Sequence, residues 1–101
     1  MARTSIIDPI ILQVVRDAGK NGATIAEMAV AVDNETDGSR GIRGVETQAR
    51  KLVEMGKLAR KYRYFYPVME DGTQMKSPVR RYRYLLPELA FFFDNTVIDP
   101  S

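Results

Sequence analysis

The apolar pattern of this chain changes period once, at Gly56-Lys57, and that change divides it into a helical part and a β part. Upstream, apolar residues recur at offsets of three and four. Ile7, Ile10, Ile11, Val14, Val15 and Ala18 form a first stripe. Asp8 is placed as its N-cap and Pro9 at its first helical position, where the missing N–H has no partner to lose. Gly19, followed by Lys20-Asn21-Gly22, stops it. Thr24-Ile25-Ala26-Glu27 has the spacing of a capping box and opens a short second helix with Ile25, Met28, Ala29 and Val32 inward.

Asp33 to Ser39 is polar, carries a glycine and reads as a loop. A third helix starts between Ser39 and Gly44 and ends at Gly56. Ile42, Val45, Ala49, Leu52 and Gly56 line one side. At about 100° per residue the opposite side carries Arg40, Arg43, Thr47, Arg50, Lys51 and Glu54.

Downstream, Lys57–Val68 and Met75–Leu86 alternate in twos and are rich in tyrosine, valine and arginine. Glu70-Asp71-Gly72-Thr73 between them is a hairpin signal. Both runs carry a similar string, Lys61-Tyr62-Arg63-Tyr64 and Arg81-Tyr82-Arg83-Tyr84, which predicts two strands, each with an aromatic and a cationic side. Which side faces the core is open. Pro67 and Pro78 predict an irregular tip. Pro87 to Ile98 closes the chain as a short helix or tail. A length of 101 residues fits one domain of the α+β class.

Net charge is +2, but the charges are segregated. Residues 40–83 hold twelve bases against four acids, whereas residues 84–101 hold three acids and no base. A block this one-sided favours a polyanionic partner over a merely solvated face. Histidine and cysteine are absent, so the commonest general base and the imidazole and thiolate metal ligands are missing. Gly38, Gly41 and Gly44 do not form a phosphate-cradling motif. The expectation is a non-enzyme without metal or cofactor. Asp8 and Pro9 break the first apolar stretch before signal-peptide length, and no apolar run approaches the ~20 residues of a membrane span. A cytoplasmic, nucleoid-associated protein is expected.

Three helices followed by a hairpin resemble a winged helix-turn-helix domain over residues 6–86. The second helix opens with Thr24-Ile25-Ala26-Glu27-Met28-Ala29, similar to that family's T-x-x-E-L-A. The third runs Ala49-x-x-Leu52-Val53-x-Met55-Gly56-Lys57-Leu58, similar to a recognition helix leading into the first wing strand. The link after Val32 is longer than the family's tight turn.

The resemblance implies that the third helix enters the major groove of duplex DNA while the wing rests on the backbone. Arg40, Arg43, Thr47, Arg50 and Lys51 are then the groove candidates, with Gln48 at the flank placed for an adenine. Arg60, Lys61, Arg63, Lys76, Arg80, Arg81 and Arg83 are the wing candidates for phosphates. A transcriptional regulator is the leading reading. The alternatives are a protein-interaction adaptor of a replication or transcription complex, and a single-strand or RNA binder that stacks bases on its tyrosines.

Cross-strand packing is the favoured role for most of those tyrosines. Residues 87–101 read as a separate apolar element for homodimerisation through Leu89, Phe91, Phe92 and Phe93. Three adjacent phenylalanines cannot all point inward from one helix, and a second subunit would cover the remainder. Asp94 and Asp99 are expected to stand clear of phosphates.

Overall fold

The computed structural model describes residues 7–36 and 41–100. Three helices come first: α1 (Asp8–Ala18), α2 (Ile25–Glu35) and α3 (Ile42–Glu54). Two antiparallel strands follow, β1 (Ala59–Phe65) and β2 (Val79–Leu85), and a 3₁₀ helix, Pro87–Phe92, comes last. This α+β layout is consistent with a winged-helix arrangement.

Local chemistry sets most of the boundaries. α1 begins one residue earlier than its sequence indicates: Ile7 is the N-cap, and Asp8 and Pro9 lie inside the first turn. Both still suit that turn, where a carboxylate faces the helix dipole and proline lacks an N–H that needs no partner. The Thr24 hydroxyl accepts from the Glu27 N–H at 3.2 Å, the first half of the capping box. α2 runs on through Glu35, three residues into the expected loop, and ends where Thr36 turns both its N–H and its hydroxyl onto the Val32 carbonyl. α3 closes on Gly56, whose φ of 77° lets the Gly56 and Lys57 N–H groups return to the Val53 and Leu52 carbonyls.

Ile11, Val15, Met28, Val32, Val45, Ala49 and Leu52 bury the inner faces of the three helices. Leu58, Tyr84 and Leu85 add the base of the hairpin. Ile42 does not join this core. It is the first residue of α3 and is 56% exposed, so the buried stripe begins a turn later at Val45.

The hairpin pairs Tyr62 with Tyr82, and the two matching strings around them fall into a local two-fold relation. One face carries Arg60, Tyr62 and Tyr64 with Arg80, Tyr82 and Tyr84. The other carries Lys61 and Arg63 with Arg81 and Arg83. Pairing stops before Pro67 and resumes beyond it as a single Val68–Gln74 bridge. The tip turn is closed by Met69 donating to Thr73 O and by the Asp71 carboxylate accepting from Thr73.

Both edges are covered at one point each. Ala23 exchanges two hydrogen bonds of 2.9 Å with Tyr84 on the β2 side, and Asp99 bridges beside Phe65 on the β1 side. Gly22 makes the first approach feasible. Its φ is 74°, and a Cβ there would lie 3.0 Å from the Arg83 Cβ and 3.1 Å from the Leu85 Cγ. Gly22→Ala combines backbone strain with overpacking and is expected to lower unfolding free energy by about 2 kcal/mol in urea titrations.

Candidate nucleic-acid interface

Lys61, Arg63, Arg81 and Arg83 share a strand face, with Arg63 directly opposite Arg81 and Lys61 opposite Arg83. Like charges in these positions repel. The C-terminal segment answers that repulsion. After the 3₁₀ helix the chain turns at Asp94, whose carboxylate accepts from the Thr96 N–H and hydroxyl, bonds that hold its pKa below the usual carboxylate range. It returns to β1, where the Asp99 N–H donates to Tyr64 O at 2.9 Å.

Asp99, 4% exposed, thereby enters the cationic face. Arg83 donates from Nε to its Oδ2 at 3.0 Å, with Nη2 also at 3.0 Å. The Arg63 and Arg81 guanidiniums lie at 3.9 and 4.0 Å. Arg63, 6% exposed, donates to Asp94 O and stacks over the Phe93 ring, its Cζ 4.5 Å from the centre. Arg81 sits over Phe65 and donates to Pro100 O. Asp99, expected only to stand clear of phosphates, is the anion inside the basic block.

The opposite face of the hairpin is open except at its base, where Tyr84 is buried in the core. Arg60 lies with its Cζ 4.5 Å from the Tyr82 ring centre, and Arg80 lies 4.8 Å from that of Tyr62. The Tyr62 ring meets Tyr64 and Tyr82 edge to face at 5.5 and 6.3 Å. The Arg80 guanidinium, within hydrogen-bonding reach of the Tyr64 hydroxyl, holds that phenol below its ordinary range.

This face adjoins α3. A cleft of about 630 Å³ opens between the first turn of α2, α3 and the edge of β2, walled in part by Thr24, Glu46, Arg50, Arg60 and Tyr82. A shallower groove continues it past Val53 and Glu54.

The groove candidates on α3 keep their expected side. Arg43, Thr47, Arg50 and Lys51 are exposed, Gln48 is half-buried, and Arg40 lies outside the described residues. Arg50 pairs with Glu46 at 3.0 Å, a link the sequence reading passed over although its i,i+4 spacing signals it. An exposed pair of this kind contributes about 0.3–0.5 kcal/mol, too little to withhold Arg50 from a stronger anion.

Among the wing candidates, Arg60, Lys61, Lys76 and Arg80 are exposed, whereas Arg63, Arg81 and Arg83 are committed to the C-terminal segment. Leu89 and Phe93 are half-buried. Phe91 and Phe92 are 91% and 62% exposed and touch each other edge to face.

No protein-family model, curated protein or solved structure matches the chain. Among the described residues no helix is long and apolar enough to cross a membrane.

Asp99→Asn keeps the side-chain shape but leaves three guanidiniums around a neutral group. Breaking a buried ion pair on one side costs about 3–5 kcal/mol. The variant is expected to lose stability of that order in chemical denaturation, with the Phe93 and Arg63 resonances shifted in NMR spectra.

Proposed function

We propose that this protein binds duplex DNA in a sequence-specific manner, as a transcriptional regulator, with α3 in the major groove and the Arg60–Arg80 face of the hairpin on the adjoining backbone. One observation carries the reading: Arg50 of α3 and Arg60 and Tyr82 of the open hairpin face border a single cleft, so the exposed side of the helix and that face of the hairpin adjoin. A helix and a strand pair so placed suit one groove and its flanking phosphates. Arg43 and Arg50 take the base-reading role and Thr47, Lys51, Arg60, Lys76 and Arg80 the backbone role, with Gln48 at the flank. Arg63, Arg81 and Arg83 are left out, because their charge is engaged internally.

The tyrosine platform for unpaired bases is the weaker reading, since one face each of Tyr62 and Tyr82 already lies under a guanidinium. A protein partner gains support from Phe91 and Phe92. A second copy of the chain, bound through these rings, would place two α3 helices on one duplex.

The four cationic phosphate contacts (Lys51, Arg60, Lys76 and Arg80) imply that affinity for a random duplex falls about 150-fold between 50 and 200 mM salt. Fluorescence anisotropy measures this directly, and a flat response would favour the adaptor reading. Arg43→Ala is expected to relax base preference by about 1–3 kcal/mol, while Lys76→Ala weakens all sequences alike. For the dimer, light scattering at tens of micromolar should give twice the chain mass, and Phe91→Ser with Phe92→Ser should halve it.

A further inference from the structure

The open hairpin face holds its two arginines in an unusual way for exposed cations. Arg60 leans diagonally across the strands onto Tyr82, and Arg80 leans across the other diagonal onto Tyr62. The two contacts are copies under the local two-fold, because both strands carry arginine two residues before tyrosine: Arg60-Lys61-Tyr62 and Arg80-Arg81-Tyr82. Both guanidiniums are exposed, so burial does not explain their placement. The supporting rings are braced in turn, Tyr62 against Tyr82 and Tyr64. Four strand residues, about 13 Å, separate the two backbone positions, and both side chains lean inward from there onto rings whose centres are 6.3 Å apart.

We infer that Tyr62 and Tyr82 are positioning residues, which hold the Arg80 and Arg60 guanidiniums in place for two separate backbone phosphates. The inference rests on the duplex reading above. A long cationic side chain ordinarily loses rotamer freedom when it fixes on a phosphate, and that loss weakens the contact. A guanidinium already lying on a ring has lost much of it in the free protein. Its outer edge keeps N–H donors for an oxyanion. The tyrosines thus raise affinity without touching nucleic acid and without adding charge.

The test is a pair of double-mutant cycles on the intact chain, read by anisotropy with a labelled random-sequence duplex from 50 to 200 mM salt. Tyr82→Leu and Tyr62→Leu should each weaken binding about two- to fivefold, the worth of one exposed cation–π contact. The salt slope should stay unchanged, whereas Arg60→Ala or Arg80→Ala should lower it by about one.

In the Arg60→Ala background the effect of Tyr82→Leu should shrink to the loss of the edge support it gives Tyr62, and in the Arg80→Ala background the effect of Tyr62→Leu should shrink likewise. Tyr62→Phe keeps the ring and should keep the affinity. NMR relaxation of the free wild-type protein reports independently of any variant's folding: the Arg60 and Arg80 Nε–H groups should be more rigid than that of Arg43.

Additive cycles, or Arg60 and Arg80 as mobile as Arg43, would overturn the positioning role while leaving duplex binding intact. A wild-type chain that does not bind the duplex would overturn both.

Discussion

A two-stranded hairpin is marginal in water, and this one sets Arg63 against Arg81 and Lys61 against Arg83 on a single face. Its geometry depends on the Asp99 carboxylate. One buried anion meets three guanidiniums, and the surrounding acceptors are neutral: the carbonyls Asp94 O, Asn21 O, Gly22 O and Pro100 O and the Asn21 side-chain Oδ1. The cluster ties three sequence-distant pieces together: the turn before α2, the hairpin and the C-terminal segment. Such a pair contributes less to net stability than to geometry, because desolvation offsets much of the attraction. Its effect is to hold the two ends of the segment, Phe93-Asp94 and Asp99-Pro100, against the hairpin.

That constraint redistributes the charge that a partner can meet. Twelve bases fall between residues 40 and 83, yet Arg63, Arg81 and Arg83 are turned toward Asp99, and Arg50 is shared with Glu46. Among the described bases of that stretch, the cations left outward lie on α3, on the tyrosine face of the hairpin and at Lys57, Lys61 and Lys76. The local two-fold of the strands explains the division: one string, written twice and paired antiparallel about Tyr62–Tyr82, produces a face of arginine on tyrosine and a face of arginine on arginine. The first supports its cations with rings. The second needs a carboxylate.

The three consecutive phenylalanines divide in a similar way. Phe93 covers the Arg63 guanidinium and becomes part of the hairpin's support, whereas Phe91 and Phe92 stay in solvent as an edge-to-face pair. The 3₁₀ helix that carries them lies against β1 and the turn Gly19–Asn21, so the segment is attached to the body while two of its rings face away.

Much of this architecture was legible in the residues. The three apolar stripes, the Thr24 cap, the Gly56 stop, the shift to period two and the prolines bounding the tip are local signals, and each acts within a few residues of itself. They were enough for three helices and a hairpin, and for the exposed side of α3. Tertiary structure decided which hairpin face is open, because a period of two places alternate residues on opposite faces without saying which is covered. It also decided the role of Asp99. An acid sixteen residues beyond Arg83 carries no local sign of a partner, and its charge acquires meaning when the chain folds back and removes the water between them.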